Sequence, residues 1–361
     1  MKPLPKVFVL IVGGIVALAA LRAAAIIVVP IIAGLFLAVV ARPMQTWLQS
    51  VLHRRLQWLA LVLTMLAMLA VVGAVGSVAA LAIRTVASEF QERRPAIESQ
   101  VETLRSTAAA KGFDLPLPSL SSSNKSPEAS GGASAGAGAG AGAARGFVGA
   151  TVEGLGGLVL ALALAALMLA EVEVGRRRVA SLGSNGGGRE VLRAVDDMAP
   201  AFRRYVWVKS LTSAITGTAT ALASLALGVP LAWVWGLIAF LFEYVPTVGS
   251  LLAIAPPVLM ALADGGPSKA AVVFLVIASL QILLGNVLDP RLEGKLMQIS
   301  PVGVLVSVVF WGWMWGPVGA LLAVPLTVAI VIASRHLPGA RGVATLVSGD
   351  GVDAPSAPSS R

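Results

Sequence analysis

Long apolar runs separated by short polar or basic stretches dominate the chain. A helix needs about 20 apolar residues to cross the ~30 Å hydrocarbon core of a bilayer, and most of these runs are about that long. The pattern therefore predicts an all-α, polytopic membrane protein with about eight hydrophobic segments. The runs cover residues 7–21, 23–41, 59–83, 147–170, 211–227, 231–262, 270–288 and 301–334.

Two of these runs, 231–262 and 301–334, have the wrong length for a simple helix. As straight helices they would extend roughly 48 and 51 Å, too long for one crossing and too short for two. Both contain prolines and glycines, which interrupt helices. They are therefore broken: either they cross as kinked helices, or they enter from opposite faces as re-entrant hairpins. Paired discontinuous elements are typical of transporters.

The polar stretches divide the chain into regions. Residues 1–83 hold transmembrane helices 1–3, residues 147–170 hold helix 4, and residues 210–335 form a transport core with the broken helices. Residues 84–146 are predicted to be an extracytoplasmic helical extension followed by a Gly/Ala/Ser-rich flexible linker. We expect a disordered cytoplasmic tail at 336–361.

Residues 171–209 form a basic loop, which the positive-inside rule places in the cytoplasm. The same rule places both termini there. An amphipathic helix is predicted within the loop, and it either lies along the anionic leaflet or packs on the protein itself. Its apolar face carries Val191, Val195, Met198, Phe202 and Tyr205.

Composition supports the membrane prediction and excludes several kinds of chemistry. The chain is 57% hydrophobic and 12% charged, with a mean hydropathy of +0.86, whereas soluble domains carry about 25% charged residues. Its net charge of +9 lies in loops, so we expect no nucleic-acid partner. The chain has no cysteine and only two histidines, without metal-ligand spacing. No P-loop or nucleophile–base pair is evident, so we expect no metal, no cofactor and no enzyme.

Glu243 is the only charged residue in the run 231–262 and is the strongest site candidate. Burial disfavours the charged form of a carboxyl group, which suits a group that exchanges protons or cations. A structural carboxyl bonded to the amides around Pro246 is the alternative. Asn286 and Asp289 are candidate oxygen ligands, although Asp289 and Pro290 also suit an ordinary turn. The residues predicted to form the helix breaks or gates are Pro246, Gly249, Pro256, Pro290, Gly316 and Pro317.

Other polar and aromatic residues have mainly structural interpretations. Gln281 lies in the middle of a run and is predicted to bond between helices. Asp264 precedes Gly265-Gly266-Pro267 and is predicted to lie in a turn. Trp311, Trp313 and Trp315 favour an aromatic belt over a ligand cage.

Three motifs in this order resemble the AI-2E family of bacterial membrane proteins. They are EYVPTVGSLLAIAPP at 243–257, NVLDPRLEGK at 286–295 and GPVGALLAVPL at 316–326. With the order of segments, the resemblance covers residues 7–335. It implies a multi-pass transporter without an ATPase, in a family whose members are associated with export of autoinducer-2 or look like sodium(lithium)/proton antiporters.

The resemblance implies several further properties of this chain. They are location in the bacterial inner membrane, contact with the lipid bilayer, and transport of a small polar solute or of Na⁺, Li⁺ and H⁺, with a homo-oligomer as a possible assembly. A membrane scaffold or sensor without transport activity, and a passive channel, remain the alternatives.

Overall fold

The computed structural model describes residues 6–110, 139–181, 187–246, 248–288, 291–292 and 300–336, and helices account for nearly all of them. A 3₁₀ turn (Arg54–Leu56) precedes α3 and a π-helical turn (Leu284–Leu288) follows α7. No strand occurs within these ranges, so the predicted all-α fold is confirmed. The helices are α1 (Lys6–Ala23), α2 (Ala25–Val51), α3 (Gln57–Ala110), α4 (Ala139–Ser181), α5 (Gly187–Ala226), α6 (Ala232–Phe242), α7 (Val248–Leu283) and α8 (Pro301–His336).

Five helical stretches in the described residues are long and apolar enough to cross a membrane. Large apolar side chains point outward along them: Ile26 and Leu251 are 81% and 70% exposed. Water disfavours apolar surface of this extent, whereas lipid accepts it. The predicted polytopic membrane protein is therefore confirmed. The stretches are Ala25–Val51, Gln57–Thr103, Gly156–Ser181, Val248–Leu288 and Val302–Ser334.

The segment 231–262 folds back on itself as a helical hairpin. α6 ends at Phe242, and α7 begins at Val248 after a short turn. Trp235 of α6 and Met260 of α7 lie in one buried cluster, although a straight helix would separate them by roughly 37 Å. The predicted break in this segment is confirmed, and its form is a reversal of the chain.

The second broken segment, α8, is also a hairpin, although its backbone is helical almost throughout. It leaves helical geometry only at Trp315 and Gly316, where Gly316 has φ 66° and ψ −149°. Across that point Thr327 Oγ1 lies 2.9 Å from Ser307 Oγ, whereas a straight helix would hold the two residues roughly 30 Å apart. The chain therefore reverses at Gly316, which can adopt a positive φ without strain.

A third reversal occurs inside α7, at Gly266 (φ 71°, ψ −169°). Val273 and Ile277 after this point join the buried cluster that contains Met260. Asp264 lies at the reversal, as the sequence predicts for a turn residue, and it also makes ionic contacts. Its carboxylate accepts from Lys269 Nζ at 2.5 Å and from Arg93 Nη1 at 2.9 Å, and Lys269 Nζ also donates to the carbonyl of Gly228 at 2.9 Å.

Two compact units make up the chain. One comprises Met1–Val71, Gly156–Lys209 and Glu293–Arg361, and the other comprises Val72–Leu155 and Ser210–Leu292. In the first unit, α2 packs on α4 through Ala38, Ala41, Ala165 and Leu169. The second unit is built around the cluster that contains Trp235 and Met260. Each unit therefore contains one of the two hairpins.

Two helices are longer than the apolar runs that they contain. α3 continues without interruption from the third apolar run to Ala110, through Pro95, so the helical segment predicted after residue 83 is continuous with that run. α4 begins at Ala139, inside the Gly/Ala-rich stretch and before the predicted start of helix 4 at Phe147. The rest of the predicted linker, residues 111–138, and the predicted tail at 337–361 lie outside the described residues.

The predicted amphipathic helix forms the first half of α5. Phe202 stacks on Phe36 of α2 with ring centroids 4.2 Å apart. A cavity of about 210 Å³ lies beside them and is also lined by Met198. Val191 and Val195 remain 45% and 46% exposed. This helix therefore packs on the protein near Phe202, while contact of Val191 and Val195 with a membrane surface stays a prediction.

Candidate transport site

Glu243 is buried at the tip of the α6–α7 hairpin, with 7% of its surface exposed. It directly follows α6, and its N–H donates to the carbonyl of Ala239 at 3.0 Å, completing the last helical turn. Pro246 ends the helical pattern because it has no N–H to donate. Its own carbonyl accepts from the Val248 N–H at 2.7 Å, at the start of α7. Helix termination thus places the carboxyl group at a turn inside an apolar segment.

Gly249 allows the tight approach of chain segments at this tip. Its Cα lies so close to the carbonyl of Phe242 that a Cβ would collide with the carbonyl oxygen. Of the residues predicted to break the helix here, Pro246 and Gly249 lie at the turn. Pro256 lies within the helical part of α7, and the nearest non-helical residue along α7 is Gly266.

Tyr244, next to Glu243, docks the hairpin tip on α5. Its hydroxyl shares a hydrogen bond of 2.7 Å with Ser210 Oγ, and its ring meets Phe240 edge-on with centroids 5.8 Å apart. Because Ser210 precedes the apolar half of α5, the tip lies at the beginning of that half.

Farther along, α5 and α6 approach each other through glycines. A Cβ on Gly236 would lie only 2.6 Å from the carbonyl oxygen of Gly217 and would collide with it. The two backbones can therefore pack this closely only because glycine has no side chain. The pairings of 210 with 244 and of 217 with 236 show that α5 and α6 run antiparallel. This register puts Glu243 at the level of Ser210 and Leu211, two to three residues before Ser213.

The buried face of α5 in this unit is polar. Its opposite face is apolar and exposed, with Leu222 and Leu225 at 60% and 68%. A helix in a soluble protein has the opposite arrangement, with its apolar face buried and its polar face exposed. The fully buried hydroxyl residues are Thr212, Ser213, Thr216, Thr220 and Ser224.

The apolar run 211–227 predicts a transmembrane span, and that prediction does not include this hydroxyl face. The signal was present in the sequence as Thr, Thr, Thr and Ser at 212, 216, 220 and 224. A spacing of four residues keeps side chains on one helical face, and a polar face on a membrane helix is expected to point toward protein or a cavity.

Of the other predicted ligands, only Asn286 is among the described residues. Asn286 lies in the exposed π-helical turn, where its Nδ2 donates to the carbonyl of Ile282 at 3.0 Å. Asp289 and Pro290 lie outside the described residues. Gln281 is buried, and its Nε2 has no hydrogen-bond partner among the residues that the structure describes. The interhelical bond predicted for Gln281 therefore stays a prediction.

Gly316 and Pro317 lie at the tip of the α8 hairpin, and the three tryptophans have different environments. Trp311 and Trp315 are buried with ring centroids 4.8 Å apart, whereas Trp313 is exposed beneath the guanidinium of Arg22, 4.6 Å from the ring centroid. Only Trp313 therefore has the exposure expected of an aromatic belt.

The described part of the chain contains no group of three or more His, Cys, Asp or Glu side chains that could hold a metal ion. The chemistry available around the α6–α7 hairpin is that of one buried carboxyl group beside a helix faced with hydroxyl groups. A carboxyl can take up or release a proton, and hydroxyls can donate and accept hydrogen bonds. Sites that bind polar solutes and exchange protons use chemistry of this kind.

Discontinuous helical hairpins in an all-helical, multi-pass membrane protein are typical of membrane transporters. The family model for AI-2E family transporters matches residues 7–339. The chain belongs to the AI-2E transporter family, and it is a membrane transporter.

Individual relatives agree with this assignment. The chain is 38% identical over 162 residues to the AI-2 transport protein TqsA of Escherichia coli, covering 45% of this chain and 46% of TqsA. It is 28% identical over 336 residues to a protein of Haemophilus influenzae named as a candidate transport protein, covering 92% and 93% of the two chains. The match to TqsA thus spans about half of that relative, whereas the second match spans nearly all of it.

Proposed function

We propose that this protein exports a small polar solute similar to autoinducer-2, and that Glu243 couples this transport to protons. The observation that carries the proposal is a carboxyl group buried at a helix break in an apolar hairpin. Retaining an ionisable group there is costly, and such groups in membrane segments are commonly functional. The name of the relative TqsA supports autoinducer-2 as the first solute to test.

In this mechanism, Glu243 alternates between a neutral and a charged form. The neutral form is compatible with the buried position of the hairpin tip, whereas the charged form favours a conformation with access to water. Protonation therefore shifts the equilibrium between two conformations of the hairpin, which is how a proton gradient can drive a solute. The tip residue Tyr244 transmits this change to α5 through its bond to Ser210.

The proposal also includes the orientation of the protein in the membrane. We place it in the bacterial inner membrane with both termini in the cytoplasm, because the basic loop at 171–209 belongs on the cytoplasmic side. The outward-facing apolar side chains then contact lipid or a second copy of the chain.

The test uses purified full-length protein in proteoliposomes loaded with autoinducer-2. Efflux is measured with and without an imposed pH gradient, for the wild type and for Glu243→Gln, which keeps the shape of the side chain and removes its proton exchange. We expect the gradient to accelerate efflux through the wild type. We expect Glu243→Gln to lower gradient-driven efflux roughly 100-fold or more, since positioned proton-transfer groups contribute about 10²- to 10⁴-fold.

Glu92→Gln is the matched control, because Glu92 is an exposed carboxyl on α3, and it should transport like the wild type. Gradient-driven efflux that persists in Glu243→Gln would remove Glu243 from the mechanism. A second series follows internal pH after sodium, lithium or potassium gradients are imposed. If those gradients move protons and autoinducer-2 does not move, the protein is a cation/proton antiporter instead.

A further inference from the structure

Four hydroxyl groups on α5 are buried without the hydrogen bonds that buried hydroxyls normally make. They are Ser213 Oγ, Thr216 Oγ1, Thr220 Oγ1 and Ser224 Oγ, which have no partner among the described residues. Each of these residues is at most 1% exposed. Buried polar atoms are bonded in the large majority of cases, so a group of unpartnered ones calls for an explanation.

Hydroxyls elsewhere in this protein behave differently. Thr64, Thr85 and Thr327 each donate to the carbonyl four residues earlier, at 2.7 to 2.9 Å. This bond to the preceding turn is the usual way in which a helical threonine is satisfied. Thr216 and Thr220 lie in a helix of the same kind and do not make it. The four hydroxyls named above thus have no partner among the described residues and remain available for one.

The four residues form one continuous row. A helix advances about 1.5 Å and turns about 100° per residue, so Ser213, Thr216, Thr220 and Ser224 fall within roughly 80° of one another around the axis and extend roughly 16 Å along it. Consecutive members at a spacing of four residues are roughly 6 Å apart, a distance that one ring-sized molecule can bridge.

The surroundings of the row define the ligand it suits. No charged residue occurs between Leu211 and Leu227, and neighbouring positions on α5 include Gly217 and Ala221, which pack against Gly236 of α6. The nearest charged residue on α5 is Lys209, which is buried and precedes Ser213 by about one helical turn. From Thr216 to Ser224 a buried ion would lack a compensating charge on the helix. A neutral molecule with several hydroxyl groups needs only donors and acceptors, and each Ser or Thr hydroxyl supplies both.

We propose that this hydroxyl row of α5 is a solute-binding track for a small, neutral, hydroxyl-rich molecule, seen here in its closed form. This inference rests on the proposed function, since it gives the transported solute its path. One end of the row, at Ser213, lies roughly 3–5 Å along α5 from the level of Glu243 in the register of α5 and α6. The proton-coupling group thus stands at the end of the track and not within it.

The first test separates binding from structure by replacing single hydroxyls with a methyl group of similar shape. Thr216→Val and Thr220→Val each remove a hydroxyl that has no partner in the described structure, so the folded protein should lose nothing, and its Tm should stay constant or rise. Efflux of autoinducer-2 from proteoliposomes should fall at least tenfold. Thr218→Val is the matched control, because Thr218 lies exposed on the opposite side of the same helix and should leave both readouts unchanged. Full efflux through both row variants would overturn the proposal.

The second test does not depend on any transported solute. The chain contains no cysteine, so Thr220→Cys and Thr218→Cys each introduce one thiol. A membrane-impermeant thiol reagent should modify Thr220→Cys, because the track opens to water, and should leave Thr218→Cys in lipid unmodified. Excess autoinducer-2 should slow the modification of Thr220→Cys.

The two tests distinguish failure of this inference from failure of the proposed function. If the wild type moves no autoinducer-2, the proposed export is wrong, while labelling of Thr220→Cys still supports a water-accessible track. If the wild type moves autoinducer-2 and Thr220→Cys stays unlabelled during transport, the export stands and the hydroxyl track is wrong.

Discussion

The α6–α7 hairpin and the α8 hairpin share one close backbone contact but carry their polar groups in different places. In each, a glycine of the returning arm lies against a backbone carbonyl of the outgoing arm: Gly249 against Phe242, and Gly319 against Trp311. The interior of the first hairpin is apolar, and its polar group, Glu243, sits at the tip. α8 holds polar groups between its arms, and these are hydrogen-bonded to one another.

The polar groups of α8 are explained by the fold, since the arms need them. Thr327 Oγ1 accepts from Trp311 Nε1 at 3.2 Å and lies 2.9 Å from Ser307 Oγ, so one hydroxyl links residues of both arms. Glu243 directly follows α6, at the turn of its hairpin. Buried polar groups therefore join the arms of one hairpin, whereas the other hairpin carries a buried titratable group at its tip. This difference is the reason for assigning coupling to the α6–α7 hairpin.

The largest effect is expected from filling the close contact that both hairpins share. Gly249→Ala and Gly319→Ala each place a Cβ against a backbone carbonyl, which cannot move aside as a side chain can. We expect each change to lower the free energy of unfolding by about 1–3 kcal/mol or more, as overpacked sites do. Thermal unfolding in detergent, followed by tryptophan fluorescence, measures the loss.

Gly312→Ala is the control within α8, because a Cβ there would lie 3.5 Å from the Cβ of Ala320, an ordinary contact. Alanine favours a helix over glycine by about 0.5–1 kcal/mol, so this variant should be neutral or stabilised. If Gly319→Ala were as stable as Gly312→Ala, the arms of α8 would not be held as closely as the hairpin requires.

The sequence predicted the architecture because length and composition are strong signals in a membrane protein. Runs of about 20 apolar residues and two runs of awkward length are visible without any structure. The hairpin form could not be chosen from the sequence, because a kinked helix and a reversed one need the same glycines and prolines. The deciding contacts, such as Thr327 to Ser307, join residues 20 positions apart, which no local pattern reveals.

The candidate site was predictable only in part. Glu243 is recognisable in the sequence as a lone charge in an apolar run. The hydroxyl row of α5 is not, because Ser and Thr lower the hydropathy of a segment only slightly and the segment still reads as apolar. Asn286 is a candidate ligand by its chemistry, but it is exposed, and its amide donates to the carbonyl of Ile282 in its own helix. Burial separates these cases, and burial depends on how helices pack and not on residue type.

The second prediction removes a hydroxyl of α8 that the fold uses. Thr327→Val leaves the buried indole N–H of Trp311 without its acceptor, which we expect to cost about 1–3 kcal/mol of unfolding free energy. Autoinducer-2 efflux per folded molecule should stay near that of the wild type, because this hydroxyl links the arms. Thr220→Val on α5 should show the reverse: full stability and reduced efflux. Equal losses of stability in the two variants would mean that the α5 hydroxyls are structural as well.

The smallest effect is expected at the third reversal, at Gly266, where an ionic cluster lies beside the turn. Asp264→Asn removes a carboxylate that accepts from both Arg93 and Lys269. Its side chain is 30% exposed, so water and salt weaken these contacts, and we expect a loss of about 1 kcal/mol or less. The loss should shrink as salt is raised, because the Debye length falls from about 10 Å at 0.1 M to about 3 Å at 1 M. Unfolding at two salt concentrations measures both points.

Asp196→Asn is the matched control, because Asp196 pairs with Arg176 at 2.5 Å but lies at no reversal of the chain. The hydrogen bond from Arg176, with its positive charge, holds the pKa of Asp196 below its ordinary value. A lowered pKa in the folded state means that the pair stabilises fully above the ordinary pKa and that this contribution is lost as the pH falls through the folded value. At neutral pH the contribution is therefore present, but it is small because Asp196 is 52% exposed. If Asp196→Asn and Asp264→Asn lower the free energy of unfolding equally, the ionic cluster stabilises the Gly266 reversal no more than an ordinary surface ion pair would.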